Sequence, residues 1–334
     1  MISNQWTYLI SLLRLALEAD ALPIPQQPLS PDGWREVYRL AAKHAVIAVA
    51  WDGVERLQSQ APEMLKTLPA DLMGKWFADS RSIEAANSRL ANQAAQVLAL
   101  LKGGEYDACI LKGASLAAYY PQPSHRQSAD IDLWVFPKVT SQPLAVHRQA
   151  LLAFLRRQPD ISLGEIVYHH IETEYNGTEV EFHVTPTWLC NPVHNRRLQY
   201  IFAQARALTP ELQELYTLFH AFRHIYHDGV ALRHVMDYYL VRRSNRAAGI
   251  PSPVALCQQV GITTFAQAMD EVADYYFGSP VSANMLSPRA RHLLQVLPER
   301  RTSRVIRSDY PQESLFSLPW RTLHYLWRKK NHYV

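Results

Sequence analysis

The sequence has few cysteines and no long apolar run. Its three cysteines, Cys109, Cys190 and Cys257, lie far apart and show no paired spacing. This argues against a disulfide framework or a zinc ribbon and predicts a reducing compartment, so we expect a cytoplasmic location. A membrane-spanning helix needs about 18 consecutive apolar residues, and no such stretch occurs. The N-terminal segment lacks a basic region and a small-residue cleavage site, so we interpret it as an amphipathic helix.

An excess of one charge is also missing. The chain has 34 Lys and Arg residues against 30 Asp and Glu residues, a formal net charge of +4. This mild basicity fits an anionic substrate, but it is too weak and too dispersed to indicate nucleic acid on its own. With 334 residues, 48% of them hydrophobic, the chain is long enough for a sizeable core.

The organisation predicted from the sequence is a small sheet between two helical regions. Apolar residues recur at helical spacing through residues 1–103, and helical patterns return over residues 191–334. Between them, residues 104–190 contain short strand-like runs, including 107–112 and 131–136. We therefore predict an α+β fold, in which a mixed β-sheet is flanked by N- and C-terminal helices.

A β-hairpin is predicted near the end of the middle region. Two runs of alternating apolar and polar residues, 165–175 and 178–184, are separated by Asn176 and Gly177. An Asn-Gly pair between alternating runs is the strongest short-range hairpin signal, because both residues tolerate a positive φ.

Two acids stand one residue apart in the strand-like run that follows Ala129. Side chains alternate along a strand, so Asp130 and Asp132 point the same way while Ile131 and Leu133 point into the core. Neighbouring carboxylates repel each other, and a divalent cation is the usual means of holding them together. Mg²⁺ suits this position best because it prefers oxygen ligands and is commonly shared with substrate phosphates; Mn²⁺ is an alternative.

A third acid comes from the second strand of the predicted hairpin. Glu181 lies between Val180 and Phe182, the same apolar-acid-apolar pattern. A neighbouring strand, parallel or antiparallel, would bring Glu181 against the aspartate pair. Phosphoryl and nucleotidyl transfer often use two metal ions, which need such a third carboxylate. A solvated position in an acidic hairpin is the alternative for Glu181.

A glycine turn precedes the acids. Lys112, Gly113 and Ser115 lie at a strand-to-helix turn, where glycine lets the backbone approach a phosphate and free N–H groups can bind it. Lys112, Ser115 and Arg126 would add positive charge and a hydroxyl. We therefore expect Lys112, Gly113, Ser115 and Arg126 to bind a nucleotide, although Lys112 and Arg126 could instead pair with acids.

The combination resembles the DNA polymerase β-like nucleotidyltransferase superfamily. More narrowly, it is similar to an uncharacterised bacterial nucleotidyltransferase family, over roughly residues 30 to 245. That family has a Leu-Lys-Gly turn, an aromatic-Pro pair, an Arg-x-x-x-Asp-Ile-Asp-Leu strand, an acid with a histidine on a later strand, and polar downstream helices. These motifs correspond here to 111–113, 120–121, 126–133, Glu181 with His183, 220–224 and 232–237.

The resemblance implies a metal-dependent transfer of a nucleoside monophosphate from an NTP, with ATP favoured, to an acceptor hydroxyl or amine. It implies Asp130, Asp132 and Glu181 as catalytic metal ligands. The acceptor is open and could be a small molecule or a protein. His183, His224 and Asp237 are candidates for the acceptor pocket. His183 could instead orient a carboxylate or be structural, and His224 and Asp237 could be core-facing polar residues. The turn departs from the superfamily, which usually has Gly-Ser or Gly-Gly, because Ala114 follows Gly113 here.

Other interpretations stay open at this point. A nucleotide-binding or scaffold protein that has the fold but no catalysis would fit the altered turn. A phosphohydrolase could use His227 and Asp228, an adjacent pair of the kind found in metal-dependent enzymes of that class. His220 and His224 share a helix face, as zinc ligands do, but Ala221 stands where the metalloprotease motif has glutamate. The basic aromatic segment 320–330 is interpreted as a solvated helix.

Overall fold

The computed structural model describes residues 3–17, 27–136, 138–139, 142–189, 191–225, 229–278 and 282–300. Cys190, the His227-Asp228 pair and the basic segment 320–330 lie outside these ranges. Within them the chain forms twelve helices: α1 (Asn4–Ala16), α2 (Pro31–Lys43), α3 (Ile47–Gln60), α4 (Ala70–Gly103), α5 (Ala114–Ala117), α6 (Leu144–Leu155), α7 (Pro192–Gln204), α8 (Pro210–His224), α9 (Leu232–Ala247), α10 (Val254–Gln259), α11 (Thr263–Phe277) and α12 (Pro288–Val296).

The described residues also form one five-stranded mixed sheet. Its strands are β1 (Ala108–Ile110), β2 (Ile131–Val135), β3 (Ile161–Ile166), β4 (His170–Tyr175) and β5 (Thr178–His183). They lie in the order β1-β2-β5-β4-β3. The β2–β5 pair is parallel and the other neighbours are antiparallel. Flanking helices complete the predicted α+β fold, which is thereby confirmed.

The β4–β5 hairpin forms around the predicted Asn-Gly turn. Asn176 and Gly177 both adopt positive φ, 49° and 75°, and Tyr175 pairs with Thr178 across the turn. The first strand of the hairpin is shorter than predicted. Residues 161–166 form the separate edge strand β3, and β4 begins only at His170.

Two hydrophobic clusters meet at the sheet, and β2 contributes to both. Leu133 and Val135 pack with α4 and α6 in the smaller cluster, while Trp134 and Phe136 join the large cluster formed by the helices. Asp132 lies between these residues on the Trp134 face of the strand. The carboxylate of Asp132, in the middle of β2, is therefore enclosed on both sides. It depends on polar partners because it is shielded from water.

The helices begin and end at clear local signals. Ser30 caps α2, where its hydroxyl accepts a hydrogen bond of 3.1 Å from the backbone N–H of Gly33. Serine is among the residues preferred at a helix N-cap because its hydroxyl can accept from a free backbone N–H. The long helix α4 ends at Gly103. Among the described helices, none combines the length and apolar character needed to cross a bilayer.

Candidate active site

The two aspartates lie at the start of β2. Asp132 is inside the strand and buried, with 2% of its surface exposed. Asp130 comes just before the strand, and a quarter of its side chain is exposed. The alternation of the strand puts both on one face, where a single amine contacts both: Lys112 Nζ lies 2.9 Å from Asp130 Oδ2 and 3.0 Å from Asp132 Oδ2.

Glu181 is next to Asp132 on the neighbouring strand. The parallel register of β2 and β5 pairs Ile131 with Val180 and Asp132 with Glu181. The sequence left the direction of this pairing open, and the structure gives the parallel arrangement. One oxygen or nitrogen of Asp132, Glu181 and His183 lies within 4.8 Å of each of the others. Asp130 is connected to this group through Lys112.

His183 bridges the two carboxylates. Its Nε2 lies 3.1 Å from Asp132 Oδ1 and 3.0 Å from Glu181 Oε2. Burial by itself lowers the pKa of His183, but the hydrogen bonds to Asp132 and Glu181 outweigh it and raise the pKa above its ordinary value. His183 therefore acts on the acids themselves in this state, rather than on a separate acceptor pocket.

Lys112 supplies the main positive charge of the group. Burial favours a lower pKa for this lysine, but Asp132 and Asp130 outweigh it and raise the pKa. In the same way, burial favours a higher pKa for Asp132, while Lys112 and His183 hold it below its usual range. Asp132 is thus ionised at neutral pH. Its Oδ2 contacts the lysine charge but makes no hydrogen bond to a described atom, so it keeps acceptor capacity.

The glycine turn lies beside the acids and opens into a cavity. Gly113 has φ = 68°, a conformation that L side chains rarely adopt, so the turn favours glycine here for its backbone rather than for space. Ser115 Oγ is buried and has no hydrogen-bond partner among the described atoms. The cavity has a volume of about 380 Å³, and its walls include Lys112, Gly113, Arg126 and Asp130.

Small residues of α4, including Ala91 and Ala94, contribute an apolar wall to this cavity, and Ala114, Ala117 and Ala118 also line it. The cavity lining therefore combines apolar and charged groups. This combination suits a ligand with a flat organic part and an anionic part.

Arg126 and Asp237 form a separate ion pair. Arg126 Nε and Nη2 donate to the two oxygens of Asp237, each at 2.7 Å, and both residues are buried. Tyr120 Oη donates a further hydrogen bond of 2.8 Å to Asp237 Oδ1. Asp237, a predicted acceptor-pocket residue, is therefore engaged by Arg126 and Tyr120, and Arg126 reaches the cavity as one member of a pair.

His224 is in a different cluster from the acids. Its imidazole stacks on that of His234, with 4.1 Å between ring centroids, and His220 contacts both rings. This cluster lies between α8 and α9. The structure thus does not bring His183, His224 and Asp237 together into one predicted acceptor pocket; the three are in three separate groups.

The comparison with protein families identifies the chain. A family model described as an uncharacterised nucleotidyltransferase matches residues 30–278, which is most of the sequence. The chain belongs to this nucleotidyltransferase family. Neither the comparison with curated proteins nor the comparison with solved structures found a match.

The donor set of this nucleotidyltransferase fits a divalent metal. Asp132 Oδ2 is a buried anionic oxygen with unused acceptor capacity, and Glu181 provides a second carboxylate beside it. Lys112 Nζ already occupies the position of a cation between Asp130 and Asp132. Several carboxylate oxygens arranged around one positive charge are also what a site for a hard divalent cation needs.

Several residues near the site were missed by the sequence analysis. Tyr216 on α8 is buried, and burial followed by the charge of Asp132 raises its pKa. His169 and His170 lie beside His183, with ring centroids 5.5 and 5.0 Å from it. The alternation of His170 and Glu172 on one face of β4 was a signal in the sequence. Tyr216 had none, because its proximity depends on how α8 packs.

Proposed function

We propose that the chain is a Mg²⁺-dependent nucleotidyltransferase, which moves a nucleoside monophosphate from an NTP, ATP being favoured, to an acceptor hydroxyl or amine. What carries the proposal is the placement of Asp130 and Asp132 around Lys112, with Glu181 paired with Asp132 on the next strand, beside the Gly113 turn and its cavity. Pyrophosphate would be the second product. Mn²⁺ would serve in place of Mg²⁺ through the same oxygen donors.

The carboxylates would hold the metal and receive the acceptor proton. Asp130 and Asp132 would bind through oxygens now facing Lys112, and Glu181 would extend the site on the next strand. A bound divalent cation would neutralise charge on the triphosphate and lower the pKa of the acceptor hydroxyl. Glu181 would take the acceptor proton. His183 fixes the orientation of Asp132 and Glu181 through its two contacts.

The nucleotide would lie in the cavity beside Gly113. The apolar wall of α4 would contact the base, and Gly113 with Lys112 would face the β- and γ-phosphates. Lys112 would then exchange carboxylate partners for phosphate oxygens. Ser115 has a buried hydroxyl near this turn, and Arg126 reaches the cavity wall, so both would contribute to nucleotide binding. The helical regions 1–103 and 191–334 would wall the cleft around the 104–190 core and select the acceptor.

A nucleotide-binding protein without catalysis is the second candidate. Two observations favour it: Ala114 follows Gly113 at the turn, and Lys112 neutralises the acids in this state. Such a protein would bind Mg²⁺-NTP and release no pyrophosphate. Turnover, and not binding, separates the two candidates.

The first experiment measures pyrophosphate release. The protein is incubated with Mg²⁺ and each labelled NTP, with and without a cell extract, beside an Asp130→Asn/Asp132→Asn double variant. Asp160→Asn, at an exposed acid in the turn before β3, is the matched control. We expect extract-dependent release that falls about a thousandfold or more in the double variant, roughly 4 kcal/mol of transition-state stabilisation. Asp160→Asn should behave as wild type.

Labelled product in the active reaction would also identify the acceptor. Mg²⁺-NTP binding without pyrophosphate release under any condition would reject the enzyme and favour the binding protein. Release that survives in the double variant would contradict the assignment of the carboxylates.

A further inference from the structure

Histidines cluster in two places. The two clusters differ in which imidazole nitrogen carries the hydrogen. In the cluster between α8 and α9, His234 Nδ1 accepts a hydrogen bond of 3.2 Å from the backbone N–H of Ala231. The neutral ring then carries its hydrogen on Nε2, the nitrogen that has no partner among the described atoms. To bind a metal through Nε2, the ring would have to move its hydrogen to Nδ1, where it would face the N–H of Ala231, so His234 is a poor metal ligand in this cluster.

The cluster on the sheet has the opposite arrangement. His170 Nε2 lies 3.2 Å from Glu172 Oε1, and a carboxylate accepts, so Nε2 carries the hydrogen. The lone pair of His170 is then on Nδ1. A carboxylate that fixes the outer N–H of a histidine is the usual support of a metal ligand.

His170 Nδ1 faces other acceptors. It lies 3.0 Å from His169 Nε2 and 3.5 Å from Glu181 Oε2. His169 Nε2 in turn lies 3.3 Å from Arg223 Nη1, a group that only donates, so its lone pair points toward Arg223 and a metal ion would replace this hydrogen bond. The other tautomer of His170 would donate to His169 but turn a lone pair toward Glu172. Neither neutral tautomer of His170 therefore satisfies both of its ring contacts.

The separations between successive atoms are close to those between ligands of one metal ion. Two ligands bound to Zn²⁺ at 2.0–2.1 Å and at the tetrahedral angle lie about 3.3 Å apart. The successive separations here are 3.0 Å from His169 to His170, 3.5 Å from His170 to Glu181, and 3.0 Å from Glu181 to His183. The three imidazoles offer nitrogens that all lie within 4.8 Å of one another.

We propose that His169, His170, His183 and Glu181 form a binding site for a divalent transition-metal ion of the Zn²⁺ class, beside the Asp130–Asp132 pair. Imidazole nitrogens favour Zn²⁺ and similar ions, whereas carboxylate oxygens alone favour Mg²⁺. Binding through Nε2 of His183 requires the neutral ring to carry its hydrogen on Nδ1, which has no hydrogen-bond partner among the described atoms. The proposal shares two residues with the proposed function: Glu181, and His183, which orients Asp132 and Glu181.

Co²⁺ and Zn²⁺ added alone test the site without any reaction. Calorimetry with each ion and with Mg²⁺ gives affinities, and the visible absorption of Co²⁺ reports nitrogen ligands directly. We expect wild type to bind one Co²⁺ at least a hundredfold more tightly than Mg²⁺. His170→Gln should weaken Co²⁺ binding tenfold or more and change its spectrum, while Mg²⁺ affinity stays within about twofold.

Further variants serve as controls for the Co²⁺ binding test. His292→Gln on α12 is the control for loss of a part-exposed histidine and should leave Co²⁺ binding unchanged. Glu172→Gln removes the support of His170 and should weaken Co²⁺ about tenfold, which serves if His170→Gln does not fold. Co²⁺ binding no tighter than that of Mg²⁺, or unaffected by both variants, would overturn the proposal, as would binding lost in His220→Gln instead.

The outcome is separable from the fate of the enzyme proposal. Co²⁺ binding lost in His170→Gln would stand even if no NTP released pyrophosphate. Conversely, Mg²⁺-dependent turnover in a protein that has no Co²⁺ site would overturn this inference alone.

Discussion

Two groups of buried charge reach the wall of the Gly113 cavity, and their charges are balanced in different ways. In the first, Arg126 and Asp237 match one to one through two parallel hydrogen bonds, and Tyr120 adds a third bond to the same carboxylate. In the second, the carboxylates of Asp130, Asp132 and Glu181 share Lys112 and His183. In the first group both carboxylate oxygens accept hydrogen bonds from Arg126, whereas in the second the buried Asp132 Oδ2 faces only the Lys112 charge and keeps acceptor capacity.

This difference separates a paired group that stabilises the cavity wall from a group that can hold a cation. In the Arg126–Asp237 pair, removing one partner would leave a buried charge without its counter-charge, so the pair matters first for stability. The acid group keeps oxygen donors that a cation can use. Burial alone would not have distinguished the two, since Asp132 and Asp237 are equally enclosed.

Breaking the Arg126–Asp237 pair should have the largest effect on folding. Arg126→Ala leaves the Asp237 carboxylate buried and unmatched, so we expect a loss of about 3–5 kcal/mol in the free energy of unfolding. Asp130→Asn leaves Lys112 paired with Asp132 at a partly exposed position, and should cost under about 1 kcal/mol. Urea denaturation of both variants measures the contrast.

A double variant serves as the control for this prediction. Arg126→Met/Asp237→Leu removes both charges and should recover most of the loss seen in Arg126→Ala. Equal losses in the free energy of unfolding for Arg126→Ala and Asp130→Asn would contradict the distinction between the two groups.

Another buried polar group, His44, should give stability a pH dependence of intermediate size. Its Nδ1 accepts from the backbone N–H of Leu232 and its Nε2 contacts the carbonyl of Pro298. Burial lowers the pKa of His44 to about 4. In the unfolded chain the histidine pKa is near 6.5, so between about pH 6.5 and 4 the unfolded chain binds a proton at His44 and the folded chain does not. Stability therefore declines as pH falls through that window.

The expected decline is about 2–3 kcal/mol, and urea denaturation at a series of pH values measures it. His44→Gln removes the titrating group and should give a flatter profile between pH 4 and 6.5. Parallel profiles for the two proteins would show that His44 is not the source.

The smallest effect concerns the charge of Lys112. Lys112→Met removes the cation that now competes for Asp130 and Asp132, so Mg²⁺ added without nucleotide should bind about tenfold more tightly, roughly 1.4 kcal/mol. Calorimetry with MgCl₂ measures this. Lys112→Arg keeps the charge and should stay near wild type, as should Lys138→Met at an exposed lysine. Weaker Mg²⁺ binding in Lys112→Met would place the metal away from the lysine.

Much of the fold was predictable because its signals are local. The Asn176-Gly177 turn, the α2 cap at Ser30 and the alternation that puts Asp130 and Asp132 on one face all depend on neighbouring residues. The strand β3 was missed because its residues, mostly exposed, show no clear alternation.

The partners of the site residues were not predictable in the same way. Arg126 and Asp237 are far apart in the sequence, and nothing local marks them as a pair. Whether Lys112 faces a phosphate or the acids was open, and only the packed structure places its amine between two carboxylates. The direction of the β2–β5 pairing likewise depends on the chain crossing over between them.

The crossover connection between β2 and β5 determines when the three carboxylates come together during folding. Between β2 and β5 the chain forms α6, β3 and β4, so Asp132 and Glu181 meet only after this whole segment is in place. Contacts between residues distant in sequence form late, because the entropy of closing the intervening loop must be overcome first. The third carboxylate is therefore a marker of completed folding: a nascent chain that ends before β5 carries the aspartates without Glu181 beside them.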